Sequence, residues 1–132
     1  MGTWSAADAE IVGLIEIENN ESAAIGDLVQ GLNDVTGDGT YAYVDTGTIG
    51  TDAIKVGLIY KPATVSLVGD YQILDSSADP TFIDDKNRPA LAQTFQEAAT
   101  GAQFTVVVNH FKSKGTACGD SDPDMGDGQG NC

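Results

Sequence analysis

The stretch IVGLIEI, residues 11–17, decides how the chain begins to fold. It is a nearly continuous apolar run of strand length, and such runs are typical of strands that are covered on both faces. The next apolar residues follow the spacing of one helix face, and they are Ile25, Leu28, Val29 and Leu32. Asn19, Asn20 or Ser22 could cap the start of this helix, and the Gly/Asp turn at 36–40 would end it. The sequence therefore predicts a strand followed by an amphipathic helix.

Further along the chain, the apolar pattern changes to the period of two that marks half-buried strands. In 53–61, AIKVGLIYK, one face carries Ile54, Val56, Leu58 and Tyr60, and Pro62 ends the strand. The remaining strands are predicted over 40–45, 64–69, 71–74, 88–95 and 103–111, the last two forming a hairpin. A strand, a helix and then several strands predict an α/β or α+β layered sandwich in one domain.

The charge of the chain is strongly acidic, with a net charge of −14 over 132 residues. All six basic residues lie between positions 55 and 114, and they are Lys55, Lys61, Lys86, Arg88, Lys112 and Lys114. This balance argues against nonspecific adhesion to nucleic acid or to anionic membrane, so a polyanionic substrate would need a local cationic site or bound metal ions. Solubility, or adaptation to salty surroundings, is the alternative reason for the acidity.

Membrane insertion and export leave no signal in these residues. No stretch approaches the roughly 20 apolar residues that a membrane span needs, and the start, MGTWSAADAE, has neither the basic nor the hydrophobic region of a signal peptide. We expect no membrane segment in this chain and any export signal outside it.

The two cysteines, Cys118 and Cys132, lie within a Gly/Asp-rich acidic loop at 115–132 that has little apolar surface to bury. A disulfide between them would order this loop, and a disulfide implies an oxidising compartment. We therefore predict a secreted protein, with two unpaired thiols in a cytosolic protein as the alternative. The pair does not have the spacing of a zinc site.

Acidic side chains close the first predicted strand. Glu16 and Glu18 lie two residues apart, so an ordinary strand would place both carboxylates on one face, where they could bind a hard cation such as Mg²⁺ or Ca²⁺. A solvated helix start is the alternative explanation. The aspartates in 120–127 are reminiscent of a calcium loop, but the closing glutamate of an EF-hand is missing.

Two further sites favour anion binding. Arg88 precedes Pro89 at a strand entry, and its guanidinium suits bidentate phosphate contact. Pairing of Arg88 with Asp84 or Asp85 is the alternative. His110 is the only histidine, and with Asn109 it ends the apolar run VVV, while Lys112 and Lys114 follow it in VVVNHFKSKG, residues 106–115. A structural role is the alternative for a lone histidine.

The order of these motifs resembles a known family. VGLIEIEN, TDAIKVGLIYKP, NRPALAQTF, FTVVVNHFKSKG and C…GDGQGNC occur in this order, covering about residue 8 to Cys132. The series is similar to the endonuclease/exonuclease/phosphatase superfamily, which has the deoxyribonuclease-I-like fold, and most of all to its secreted bacterial nuclease branch. The resemblance implies metal-dependent phosphodiester hydrolysis of nucleic acid, DNA more than RNA. Phosphomonoesters or lipid phosphates are alternative substrates, and a non-catalytic acidic calcium-binding module is an alternative of another class.

The resemblance also implies roles for individual residues. It makes Glu16 the metal-binding glutamate, with Glu18 as a neighbour, and His110 the histidine that contacts the scissile phosphate or assists the leaving group. Arg88 would bind a substrate phosphate, supported by Asn109, Lys112 and Lys114. Asp52 falls where the family has a residue that assists the catalytic histidine, although Ile54 competes for that match. Mg²⁺ is the expected ion, with Ca²⁺ and Mn²⁺ as alternatives.

Several family motifs are missing from these 132 residues. The resemblance implies an asparagine on an earlier strand, a later GDxN segment and a closing Asp-His pair. We therefore expect residues 1–132 to be the N-terminal half of the domain, inactive or nearly so alone. Half of a two-sheet sandwich would expose sheet edges and could self-associate through them.

Overall fold

The computed structural model describes residues 8–84 and 86–111. Its elements are β1 (Ile11–Glu18), α1 (Ala23–Thr36), β2 (Ala42–Tyr43), β3 (Ile54–Tyr60), β4 (Val65–Leu74), β5 (Ala90–Glu97) and β6 (Gln103–Val108). The strands form two antiparallel sheets, which we call sheet A (order β1-β3-β2) and sheet B (order β4-β5-β6). The predicted layered α+β sandwich is confirmed.

The central strand β3 holds the layers together because its two faces pack against different partners. Val56 and Leu58 belong to the buried cluster between the sheets, which includes Leu91 and Phe95 of β5. Ile59 faces the other way and packs against α1. The predicted face with Val56 and Leu58 is therefore confirmed, but the opposite face is buried as well, so β3 is not the half-buried strand that a period of two indicates.

The helix begins and ends close to the predicted positions. Ser22 occupies the N-cap position, but its side chain makes no capping hydrogen bond. The side-chain oxygen of Asn20 instead accepts the Ala24 N–H of the first turn at 3.0 Å. Ile25 and Val29 are buried against sheet A. Gly37, at φ +116°, donates its N–H to the Asn33 carbonyl and ends the helix in a conformation that favours glycine.

Strand β1 differs from its prediction. No residue of β1 is fully buried, and Ile15 is 52% exposed. Within the described residues, β1 lies at an edge of sheet A and pairs only with β3. The prediction of a strand covered on both faces was wrong, because an apolar run does not reveal how completely other layers of the fold will pack on each face.

The two short strands predicted over 64–69 and 71–74 are one strand, β4, with an irregularity between Val68 and Gln72. Gly69 adopts a positive φ of 66° at this point. The buried side chain of Gln93 donates hydrogen bonds to the carbonyls of Val68 (3.4 Å) and Gly69 (3.2 Å). A bulge can interrupt the alternation of buried and exposed side chains while the strand continues. The interruption in the sequence pattern was therefore wrongly interpreted as the end of one strand and the start of another.

Two further predictions concern the membrane and the cysteines. Among the described residues, no helix has the length and hydropathy to cross a membrane. Cys118, Cys132 and the loop at 115–132 lie outside the described residues. The disulfide, secretion and self-association therefore stay predictions.

A pair of glycine substitutions tests the packing of α1 on sheet A. A Cβ on Gly57 would lie 2.9 Å from Cδ1 of the buried Ile25, whereas a Cβ on Gly31 of α1 would meet nothing within 4 Å. We expect Gly57→Ala to destabilise the fold by about 1–3 kcal/mol through overpacking. Gly31→Ala should stabilise it by about 0.5–1 kcal/mol through helix propensity. Urea unfolding measures both, and equal effects would contradict the helix position.

Candidate active site

At one end of the sandwich, the ends of strands from both sheets lie close together, and we call this end the edge of the sandwich. In sheet A, the end of β1 pairs with the start of β3, with Glu18 opposite Ile54. In sheet B, the start of β5 pairs with the end of β6, with Leu91 opposite Val108. Strand β1 approaches β6 so closely that a Cβ on Gly13 would lie 3.1 Å from a methyl group of Val108. Residues that follow β6 therefore lie next to the end of β1.

This approach brings Glu16 and His110 together. Nε2 of His110 lies 3.7 Å from Oε1 of Glu16. The histidine side chain is only 16% exposed, whereas that of the glutamate is 67% exposed. A mostly buried imidazole beside an accessible carboxylate can act on a ligand at the surface while its own orientation is restricted.

Glu16 has a strained backbone. Its φ is +61°, a conformation that costs a residue with a Cβ about 1–2 kcal/mol, and it lies where the pairing of β1 with β3 shifts between Leu14 and Ile17. The bulge breaks the simple alternation from which Glu18 was predicted to share a face with Glu16. Strain of this kind often accompanies a functional side chain. The metal-binding roles of both glutamates stay predictions.

The second nitrogen of the His110 ring has no hydrogen-bond partner among the described residues. Nδ1 is buried and makes no hydrogen bond within the described residues. Buried polar atoms are nearly always paired, so an exception needs an explanation such as a catalytic role or a missing ligand. The environment of His110 therefore differs from that of a histidine satisfied in a core.

Arg88 and Asp52 form a second pair across the same edge. Nε of Arg88 lies 2.7 Å from Oδ2 of Asp52, and the other carboxylate oxygen accepts the Ala53 N–H at 2.7 Å. Two alternative partners were predicted for Arg88, and one of them, Asp84, instead accepts hydrogen bonds from Ser76. The other, Asp85, lies outside the described residues. The structure thus joins Asp52 to the arginine, and its role as the assistant of His110 stays a prediction.

A cavity of about 440 Å³ opens beside this ion pair. Its walls come from the loop before β3 and from the segment before β5, and its charged lining residues are Asp52, Asp75, Asp84, Lys86 and Arg88. Hydrogen bonds from Ser77 lower the pKa of Asp75. The cavity therefore offers a guanidinium and one ammonium, of Lys86, beside three carboxylates.

Sequence reasoning missed the main role of Asn19, which was considered only for the helix cap. Its side-chain amide donates to the carbonyls of Ile49 (2.7 Å) and Asp52 (2.9 Å). Its side-chain oxygen accepts the Ile49 N–H at 3.0 Å, and its own N–H donates to the Ala53 carbonyl at 2.8 Å. Asn19 thereby fixes the loop 49–53 to the end of β1. No local sequence signal reveals a partner so distant along the chain.

Sequence reasoning also missed the role of Lys55. The residue is only 2% exposed, and its Nζ donates to the carbonyls of Gly47 (2.5 Å) and Glu21 (2.6 Å). Burial lowers the pKa of Lys55, and the charge of Asp45 partly opposes this effect. The available signal was the position of Lys55 on the same face of β3 as Gly57 and Ile59. A lysine that is buried on such a face needs hydrogen-bond partners for its ammonium group.

The described residues fit only a sparsely coordinated metal ion. None of them forms a group of three or more His, Cys, Asp or Glu side chains suited to a metal. Mg²⁺ is commonly held by one or two carboxylates together with waters and substrate phosphates, so the exposed carboxylate of Glu16 fits it. Ca²⁺ takes six to eight oxygen ligands, which can include main-chain carbonyls and waters, and the choice among Mg²⁺, Ca²⁺ and Mn²⁺ stays a prediction. Lys112 and Lys114 lie outside the described residues, and Asn109 is exposed just after β6.

Comparison with known proteins identifies the fold. No family model matches the sequence, and no curated protein matches it. Two crystal structures of ANGEL2, a 2',3'-cyclic phosphatase, match with TM-scores of 0.54 and 0.55, both at 16% identity and both covering 81% of this chain. The second contains adenosine-2',3'-vanadate. The chain spans only 28% and 29% of the two ANGEL2 chains. At this identity the likeness establishes the deoxyribonuclease-I-like fold alone.

Proposed function

We propose that this chain supplies part of the active site of a metal-dependent phosphodiesterase that cleaves nucleic acid, with DNA as the expected substrate. The main support is the approach of His110 to Glu16 across the two sheets, at 3.7 Å. Residues from distant parts of the sequence meet at the edge that also carries the only arginine of the chain. The resemblance implies this role for each of the three residues.

Each side chain has a distinct task in this proposal. Arg88 contacts a substrate phosphate and stabilises the negative charge that develops on it. His110 donates a hydrogen bond to a phosphoryl oxygen or a proton to the leaving oxygen. Glu16 holds Mg²⁺, whose chemistry in such a site is polarisation of a phosphoryl oxygen.

The acidity of the chain makes the proposal testable. With a net charge of −14, the protein repels a phosphate backbone unless a divalent ion and local cations offset the repulsion. Binding of nucleic acid should therefore depend on Mg²⁺ and on few residues.

Secretion and the disulfide between Cys118 and Cys132 belong to the same proposal, and mass spectrometry of alkylated protein with and without reduction tests that disulfide.

The experiment measures binding of a fluorescent single-stranded DNA oligonucleotide by the 132-residue chain with Mg²⁺ or with EDTA. We expect binding only with Mg²⁺, and a weakening of about tenfold or more in His110→Gln and in Arg88→Gln, because charge-assisted contacts are lost. Arg88→Lys is the matched control for charge and should weaken binding less than Arg88→Gln. Binding that is equal in EDTA, or unaffected by both glutamine variants, would contradict the proposal.

A second candidate function is hydrolysis of a 2',3'-cyclic phosphate at an RNA end. The fold shared with ANGEL2, a 2',3'-cyclic phosphatase, favours this candidate. Competition between the DNA oligonucleotide and adenosine 2',3'-cyclic phosphate separates the two, since the preferred substrate should displace the other. A lipid phosphate headgroup in the same competition tests the third class of substrate.

A further inference from the structure

The loop 49–53 carries Asp52, the partner of Arg88 in the candidate active site, and has little regular structure of its own. No residue of 44–53 belongs to a strand or helix. Gly50 has a φ of +62°, and a Cβ there would lie 3.2 Å from the ring of Pro89. The loop therefore lies against the segment before β5 although none of its residues belongs to a strand.

Asn19 supplies the hydrogen bonds that a sheet would otherwise provide. Four contacts join it to this loop, two from its side-chain amide, one to its side-chain oxygen and one from its main-chain N–H. One of them is made to the carbonyl of Asp52 at 2.9 Å. The position of the Asp52 backbone therefore depends directly on Asn19.

The same chain of contacts continues to Arg88. The Asp52 carboxylate accepts the Nε–H of Arg88 at 2.7 Å. A guanidinium has five N–H groups, and this ion pair uses the one on Nε. The terminal nitrogens carry the other four, and they are the groups that suit bidentate contact with a phosphate. Arg88 also lines the cavity of about 440 Å³, together with Gly50, Thr51 and Asp52 of the loop.

We infer that Asn19 is a positioning residue that sets the orientation of Arg88 in this cavity through the loop 49–53 and the Asp52 carboxylate. The orientation itself follows from the contacts of the described residues, while its use for phosphate binding rests on the proposed function. Loss of the Asn19 side chain leaves the carbonyls of Ile49 and Asp52 without its donors and frees the loop. Arg88 then loses a fixed partner and spends less time in one orientation.

A purely structural role is the competing explanation, and the chain offers a matched control for it. Asn33 also bridges a main-chain N–H and carbonyl of one residue, since its side chain accepts from the Tyr41 N–H at 2.8 Å and donates to the Tyr41 carbonyl at 3.1 Å. It joins α1 to the segment before β2 and is not part of the contacts that lead to Arg88. Asn19→Ala and Asn33→Ala each remove a side-chain amide that bridges the main chain of another segment, but at two different places in the fold.

The experiment uses the single arginine of the chain. In a ¹H–¹⁵N spectrum, Arg88 gives the only arginine Nε–Hε signal, and Asp52→Asn shows where this signal moves when the ion pair is weakened. We expect Asn19→Ala to shift the signal towards its Asp52→Asn position and to weaken Mg²⁺-dependent oligonucleotide binding by about tenfold, as supporting residues of a site commonly do. Asn33→Ala should change neither. Asn19→Ser, which keeps a short polar group, replaces Asn19→Ala if the alanine variant does not fold.

The two readouts separate the inference from the proposed function. An unchanged Arg88 signal in a folded Asn19 variant overturns the positioning role, whatever the binding. A shifted Arg88 signal in a chain whose wild type binds no oligonucleotide supports the positioning role and contradicts the proposed function. Equal shifts in the Asn19 and Asn33 variants also overturn the inference, because they show a general loosening of the fold.

Discussion

Replacement of Lys55 by methionine should lower the free energy of unfolding by about 2–4 kcal/mol, because two main-chain carbonyls lose a charged donor and each unsatisfied acceptor costs about 1–3 kcal/mol. The lysine Nζ donates to Glu21 at 2.6 Å and to Gly47 at 2.5 Å, and the side chain is 2% exposed. Methionine fills a similar volume but donates no hydrogen bond. Urea unfolding followed by circular dichroism measures the loss.

The matched control is Lys61→Met. Lys61 pairs with Asp8, whose carboxylate is largely exposed, and this bond raises the pKa of Lys61. The Lys61 side chain is itself only 13% exposed, but the carboxylate of its partner lies in water, and solvent-accessible ion pairs contribute little to stability. Methionine keeps most of the volume of the buried stem, so Lys61→Met should destabilise less than Lys55→Met. Equal effects of the two variants would show that Lys55 does not join the loop at Gly47 to the turn before α1.

The comparison of these lysines also shows what a sequence pattern can predict. The alternation of Ile54, Val56, Leu58 and Tyr60 gave β3 correctly, since a period of two is a local property of one strand. The partners of Lys55 are carbonyls of two separate loops, and no periodicity encodes them. The coverage of β1 was predicted wrongly for a related reason, because the layers that pack on the faces of a strand come from distant segments of the chain.

In the candidate site, too, some features could be predicted from the sequence and others could not. The family resemblance brought Glu16, Arg88 and His110 forward as functional residues, and the structure places all three at one edge of the sandwich. The partners of these residues were not predicted, and their functional roles stay predictions. Asp52 was matched to the histidine but contacts the arginine, and Asn19 was considered as a cap although it fixes a loop. Long-range hydrogen bonds decide these details.

The strained backbone of Glu16 suggests that function and stability oppose each other at this position. Proteins tolerate a left-handed residue with a side chain where the surrounding structure imposes it, and such residues cluster at functional sites. Glu21 has the same conformation, with a φ of +62° against +61° for Glu16. The two glutamates thus share the strain, while only Glu16 lies beside His110 among the contacts of the described residues.

Glu16→Gly should therefore stabilise the fold by about 0.5–1 kcal/mol and abolish Mg²⁺-dependent oligonucleotide binding. Relief of about 1–2 kcal/mol of left-handed strain exceeds the entropic cost of glycine, about 0.5–1 kcal/mol, and the proposed metal ligand is removed. Glu21→Gly relieves the same strain and should keep binding, whereas Glu16→Gln keeps the strain and should lose binding. Unfolding and anisotropy titrations on the three variants measure both effects. Binding that survives in both Glu16 variants would remove this residue from the proposed site, and destabilisation by Glu16→Gly would show that its side chain contributes more to the fold than its backbone conformation costs.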